Sequence, residues 1–267
     1  MSQGLLHFIH AQREPVNGQK DGVRLVYRSE ILANGSVHAL HDYISDRAPL
    51  FYRPLEAIVA DLKAGYFLTA VKTTLAKLPT AQSFQESHFG EIVAAIFAEE
   101  VMGLRRLYSK LSMLTAENAN GYKMDLVMYD PSSDPLRFVF GEVKCSPKNA
   151  ADGLPSKHDQ SCFADLFASF NKYSVADHSF DLTAARDNLG NIPEGDRQRV
   201  RAALMPYSGT KTSYAGFVII DASTYAVDEA QILRTRKNKK AFEVDLLCVE
   251  TFPAVAQSVY TSLQGAK

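Results

Sequence analysis

The segment from Leu136 to Cys145 constrains the fold more than any other part of this chain. Its sequence, LRFVFGEVKC, is apolar over most of its length and predicts a buried β-strand. Because side chains alternate between the two faces of a strand, Glu142 and Lys144 share one face near its end. Cys145 points to the opposite face, where it is expected to be packed. Ionised groups at the end of an apolar strand need partners, a metal ion or a solvent-filled cleft.

A carboxylate interrupts the preceding apolar segment in the same way. Asp125 lies within Tyr122–Tyr129 (YKMDLVMY), a second strand candidate, and the intervening DPSSDP is typical of a turn. If the two strands form a hairpin, the centre of the turn falls near residues 133–134 and Asp125 lies opposite Glu142. The sequence therefore predicts that these two carboxylates meet.

Two neighbouring carboxylates repel each other, and in proteins a bound hard divalent cation usually compensates this repulsion. Mg²⁺ (or Mn²⁺) prefers oxygen ligands, which Asp125, Glu142 and the backbone carbonyl of Val143 would supply. Such an ion activates a bound water and polarises a phosphate, while Lys144 orients or helps to deprotonate that water and offsets developing charge. From spacing alone an alternative stays open, in which the same side chains form only a structural ion pair and a turn contact.

An amphipathic helix is predicted before these strands. Ser83 has capping-box spacing to the glutamate three residues later, and apolar residues then recur at helical spacing from Phe89 to Val101 as a single stripe. Glu91 lies near the start of this helix, at the edge of the stripe. For the neighbouring His88, a surface or helix-cap role is favoured over a place in the cleft.

The order of the predicted elements is typical of an α/β fold with a mixed central sheet flanked by helices. Its core is expected to run helix, three strands, helix, strand (αβββαβ) within residues 81–267. Residues 1–80 are predicted to form an N-terminal α+β extension, with a strand pair between Leu5 and Arg28 and helices at Leu55–Lys63 and Tyr66–Leu78. These helices either dock a partner or pack within their own domain, and the second interpretation is favoured.

Composition narrows the classes of function. With a net charge of −1 the chain is not strongly basic, which excludes the class of proteins that bind DNA on their own through many phosphate contacts. The three cysteines lack metal-type spacing and indicate a reducing compartment. The apolar run near the N-terminus is too short for a signal peptide or a membrane helix, so a cytoplasmic location without membrane attachment is predicted.

The spacing of the candidate residues resembles that of a known nuclease core. Asp125, then sixteen residues, then the E-V-K tripeptide from Glu142 to Lys144, all preceded by the helix with Glu91, resembles the PD-(D/E)XK nucleases. Met124 stands where the name of that superfamily has proline. More narrowly, the segments FGEIVAAIFAEE, MDLVMYD and FGEVKCS resemble the HamA family, the nuclease subunits of the Hachiman antiphage defence system. The resemblance extends over most of the chain.

The resemblance implies a metal-dependent DNA nuclease that acts with HamB, a superfamily 2 helicase, to degrade DNA. It implies Asp125, Glu142 and Lys144 as the catalytic set, with Glu91 as a further member. The chain has no G-x-x-x-x-G-K-[ST] phosphate loop, so an ATP-driven motor would lie in the partner. Two alternatives stay open: a catalytically silent interaction subunit of such a complex, and a phosphodiesterase that acts on RNA.

Basic residues outside the catalytic set are candidates for contacts with nucleic acid. Lys148 and Lys157 follow the catalytic strand, and a charged run further along the chain comprises Arg234, Arg236, Lys237, Lys239 and Lys240. Such a run is more often a solvated loop than a phosphate-binding surface.

Overall fold

A single mixed β-sheet organises the computed structural model, which describes residues 4–15, 23–34, 39–114, 124–146, 159–205, 211–224 and 240–265. Within these residues the strands are β1 (Ile9–Pro15), β2 (Val23–Ile31), β3 (Arg105–Ser109), β4 (Leu126–Asp130), β5 (Arg137–Ser146), β6 (Lys211–Asp221) and β7 (Phe242–Val249). Across the sheet their order is β1-β2-β7-β6-β5-β4-β3. The mixed α/β fold expected from the sequence is thereby confirmed.

The four central strands are parallel and the outer strands are antiparallel. β2, β7, β6 and β5 run in the same direction, and β4 and β3 continue the sheet as an antiparallel meander. β1 pairs with β2 in antiparallel fashion, which confirms the predicted strand pair, although Leu5–Phe8 forms a 3-10 turn and the strand begins at Ile9. Because β2 pairs with β7, the N-terminal strands extend the sheet of the C-terminal segment. The domain boundary near residue 80 stays a prediction.

Helices cover both faces of the sheet. The described helices are α1 (Leu40–Arg47), α2 (Pro49–Tyr52), α3 (Leu55–Lys63), α4 (Phe67–Leu75), α5 (Gln82–Glu100), α6 (Asp159–Lys172), α7 (Val175–Asp187), α8 (Glu194–Ala203) and α9 (Phe252–Gly265). α1, α5 and α9 contribute to the core on one face, and α6, α7 and α8 to the core on the other. In the described part of the chain, no helix has the length and apolar character that a membrane crossing needs.

The central helix α5 departs from its prediction in two ways. It begins at Gln82 with Ala81 as its N-cap and no side-chain cap, so Ser83 lies inside the first turn and the predicted capping box is wrong. The helix is also buried on every side from His88 to Ala98, and the predicted single apolar stripe is wrong. The reason is tertiary: α9 and the N-terminal 3-10 turn pack against α5 in addition to the sheet.

Two glycines let helices approach the sheet closely from opposite sides. A Cβ atom at Gly90 of α5 would lie 1.9 Å from the Sγ of Cys145 on β5. On the other face, a Cβ atom at Gly216 of β6 would lie 2.7 Å from Cδ2 of Leu166 on α6.

The substitution Gly90→Ala is expected to lower the free energy of unfolding by about 2 kcal/mol, because the added methyl group overpacks a closed contact. Replacing the sulfur as well should recover most of this loss, since Cβ of Cys145 lies 3.4 Å from the added atom, an ordinary contact distance. Urea unfolding of the wild type, Gly90→Ala, Cys145→Ala and the double variant measures the coupling. Strictly additive losses would contradict the contact.

Candidate active site

The register of β4 and β5 brings the two predicted carboxylates together. Leu126 pairs with Gly141 and Asp130 with Arg137, so Asp125, one residue before β4, continues the ladder level with Glu142. The backbone N–H of Val143 donates a hydrogen bond to Oδ2 of Asp125 at 2.8 Å. The hairpin register is therefore the one that the DPSSDP turn predicts.

Glu142 and Lys144 form an ion pair on the face of β5 that α6 covers. The Nζ of Lys144 lies 2.8 Å from Oε1 of Glu142, and Ser169 of α6 adds a hydrogen bond to the carboxylate. Cys145 lies on the opposite face against α5, and burial raises the pKa of its thiol. The prediction that Cys145 is packed is confirmed.

Glu91 brings a third carboxylate to this cluster from α5. Its side chain is buried, and burial together with the charges of Asp125 and Glu142 raises the pKa of Glu91 well above its usual range. Oε2 of Glu91 has no hydrogen-bond partner among the described residues. An unpartnered oxygen at this depth is costly unless the group is protonated or meets a cation.

Lys110 completes the cluster, although the sequence pattern assigned it no role. Its Nζ lies 3.2 Å from Oδ1 of Asp125, and its backbone N–H donates to the Asp125 carbonyl at 2.8 Å. It lies in the 3-10 turn Lys110–Met113, which directly follows β3. The local signal was weak, because Lys110 follows the strand RRLYS, which already carries two arginines, so a further basic residue does not stand out.

The electrostatics of the cluster are set by burial and by mutual charge. Burial and, to a smaller extent, the charge of Asp125 raise the pKa of Glu142 to about 7, although the pairing with Lys144 acts in the opposite direction. For Lys144, burial lowers the pKa, but the Glu142 carboxylate more than offsets this effect and the pKa is raised. Burial likewise lowers the pKa of Lys110, and Asp125 and Glu91 reverse the effect, so both lysines stay protonated.

His88 lies beside this cluster, and the surface or helix-cap role favoured for it is wrong. The ring is buried, and its Nδ1 lies 3.0 Å from the hydroxyl of Tyr52, which in turn lies 2.8 Å from the hydroxyl of Tyr260. Burial and the nearby Lys110 lower the pKa of His88 to about 4. The histidine is therefore neutral near pH 7.

The donor chemistry of the cluster fits a hard divalent cation. Among the described residues, no group of three or more His, Cys, Asp or Glu side chains is arranged to hold a metal ion. Lys110 pairs with Asp125 and Lys144 with Glu142. Each carboxylate oxygen can accept more than one partner, and Oε2 of Glu91 has none within the described part of the chain. Carboxylate oxygens are the ligands that Mg²⁺ and Mn²⁺ prefer.

Most of the remaining predicted contacts with nucleic acid lie outside the described residues. These are Lys148 and Lys157, within residues 147–158, and Arg234, Arg236, Lys237 and Lys239, within residues 225–239. Lys240, at the end of the same run, is described, and its Nζ donates a hydrogen bond to the backbone carbonyl of Phe170 at 3.0 Å.

The mixed sheet and its buried cluster define an α/β protein with carboxylates and lysines gathered where β4 begins and β5 ends. Comparison with protein families matches the HamA model to residues 5–262. The chain belongs to the HamA family, and this membership implies a role in Hachiman antiphage defence. No curated protein matches the chain.

The raised pKa of Glu142 predicts that stability falls as the pH rises from about 5 to about 7. In this range the folded protein keeps a proton on Glu142 that the unfolded chain releases, so the loss amounts to at most about 3 kcal/mol. Below about pH 4.5 both states hold the proton, and above about pH 7 the penalty is constant. Urea unfolding across this range should show a shallower fall for Glu142→Gln, whereas identical profiles would contradict the assigned pKa.

Proposed function

We propose that this chain is a metal-dependent DNA nuclease that hydrolyses phosphodiester bonds as the effector subunit of a helicase–nuclease antiphage complex. The observation that carries the proposal is the meeting of Asp125, Glu142 and Lys144 at one end of the β4–β5 hairpin. Glu91 adds a third buried carboxylate from a separate element. Family membership supports the defence role.

Three groups of the chain would hold Mg²⁺ or Mn²⁺: the carboxylates of Asp125 and Glu142 and the backbone carbonyl of Val143. Glu91 would supply a further oxygen. The bound ion supplies a water of lowered pKa and polarises the scissile phosphate. The Val143 N–H holds the Asp125 carboxylate in place at 2.8 Å, so that this ligand needs little reorganisation when substrate arrives.

Lys144 acts as a hydrogen-bond donor and a fixed positive charge. Because the Glu142 carboxylate keeps its pKa raised, the ammonium group stays protonated. A protonated lysine can orient the attacking water and stabilise the negative charge that develops on the phosphate. It is less suited to remove a proton from that water. Its position 2.8 Å from Oε1 of Glu142 keeps that charge beside the predicted metal ligand.

Delivery to DNA by a helicase partner is supported by charge and by an exposed apolar surface. A chain with a net charge of −1 has little long-range attraction for DNA. The hairpin of α3 and α4 exposes six large apolar side chains, and exposed apolar patches commonly mark protein interfaces. These side chains are Leu55, Leu62, Tyr66, Phe67, Leu68 and Val71. We assign this α3–α4 surface to the helicase partner.

Metal-dependent cleavage tests the catalytic assignment. The chain, purified with its helicase partner, should degrade linear or plasmid DNA in Mg²⁺ and not in EDTA. Lys144→Met should reduce the rate about a hundredfold or more, and Glu142→Ala should abolish metal-dependent cleavage. Asp187→Ala, which removes an exposed carboxylate far along α7, is the matched control and should cleave at the wild-type rate.

Each other outcome identifies a different function. A complex that forms but leaves duplex, single-stranded and damaged DNA intact, with wild type and variants equally inert, would establish a silent interaction subunit. Cleavage of RNA but not of DNA, lost in the same two variants, would establish a phosphodiesterase that acts on RNA.

The α3–α4 surface is tested by complex formation. Phe67→Glu and Leu68→Glu place a charge on side chains that are 63% and 68% exposed, so folding should be unaffected while binding to the helicase weakens about tenfold or more. Val175→Glu changes a separate apolar side chain on α7 that is 83% exposed and should bind normally. Co-purification and isothermal titration calorimetry measure the affinity. Equal affinities for all three variants would rule out this surface.

A further inference from the structure

A cavity of about 220 Å³ opens beside the carboxylate cluster, between the first three turns of α5 and the turn that follows β3. Glu91 and Lys110 line this cavity and also belong to the cluster. Any molecule in the cavity would therefore lie directly beside the groups assigned to phosphodiester hydrolysis.

The walls of the cavity combine flat rings, aliphatic side chains and hydroxyl groups. Phe84 and His88 contribute rings whose centroids are 6.2 Å apart at an interplanar angle of 81°, and the histidine is neutral. Leu111 and Leu114 are buried side chains that line the same space. The hydroxyl-bearing residues Ser83 and Ser87 also line it, from the exposed side of α5.

This combination matches a heterocyclic base better than a bare ion. Contact with the two leucines does not strengthen the binding of a phosphate or a metal ion. Apolar side chains and rings do strengthen the binding of a base, because they pack against its faces. Groups on the edge of a base need hydrogen-bond partners, and Ser83, Ser87 and Lys110, which carry hydroxyl and ammonium groups, line the cavity. The Tyr260–Tyr52–His88 chain of hydrogen bonds fixes the His88 ring from behind.

We propose that this cavity binds an unpaired nucleobase of the substrate strand, next to the phosphate that is cleaved. The inference rests on the proposed nuclease function and narrows its substrate. A base that is stacked and paired within a duplex cannot enter a side cavity, so the substrate is single-stranded at this position or has the base turned out of the helix. Damaged or unwound DNA meets this requirement at the least energetic cost.

A cavity-filling variant tests the proposal through binding, with cleavage prevented by EDTA. The probe is a single-stranded oligonucleotide that carries 2-aminopurine, whose fluorescence reports stacking and burial, and binding is measured with the full chain and its helicase partner. Ser87→Phe should fill the cavity from an exposed helical position, weaken binding about tenfold and remove the fluorescence change. Gln82→Phe is the matched control: it adds the same ring to an exposed position of α5 that does not line the cavity.

Phe84→Ala provides a second variant, which enlarges the cavity and removes one ring, and it should lose affinity in the same direction. Wild-type affinity in Ser87→Phe and Phe84→Ala would overturn the inference, as would a fluorescence change that persists in Ser87→Phe. If the wild-type complex cleaves DNA in Mg²⁺ but Ser87→Phe and Phe84→Ala bind the probe as the wild type does, the nuclease function stands and only the cavity assignment falls. If the wild type neither binds the probe nor cleaves any DNA, both fall.

Discussion

The antiparallel pairing of β4 with β5 is the constraint on which the rest of the candidate site depends. It sets Asp125 level with Glu142, and the 2.8 Å bond from the Val143 N–H fixes the carboxylate of Asp125 in that position. If the register of β4 against β5 slipped by one residue, every side chain of one strand would turn to the opposite face, and the two carboxylates would be separated. The parallel neighbour β6 prevents such a slip, because it pairs with β5 along the full length of that strand.

This part of the site could be predicted from the sequence because the information is local. The turn composition of DPSSDP sets the centre of the hairpin, and strand alternation then places Glu142 and Lys144 on one face and Cys145 on the other. The apolar periodicity of Leu55–Lys63 likewise predicts the bounds of α3 that the structure shows. In each case the deciding contacts join residues that are close in sequence.

Lys110 and the environment of α5 could not be predicted, because both depend on contacts between distant segments. Lys110 reaches Asp125 only because β3 stops at Ser109 and the chain enters a 3-10 turn, which changes the direction of the side chain from that expected for a strand. The all-round burial of α5 depends on α9, whose sequence lies more than 150 residues further along the chain. The spacing of apolar residues within α5 does not indicate which distant elements pack against the helix. For the same reason, the burial of His88 could not be predicted.

The balance of charge in the cluster explains how three buried carboxylates coexist before any substrate arrives. Lys110 pairs with Asp125 and Lys144 with Glu142, while Oε2 of Glu91 has no hydrogen-bond partner among the described residues and burial keeps the pKa of that group high. Two lysines, together with protons held on Glu91 and Glu142, thus limit the repulsion among the three carboxyl groups. A divalent cation would have to replace those protons, since ligating carboxylates must be ionised. Occupancy of the proposed site would therefore release protons, and a cation would also compete with Lys110 and Lys144 for the carboxylates of Asp125 and Glu142.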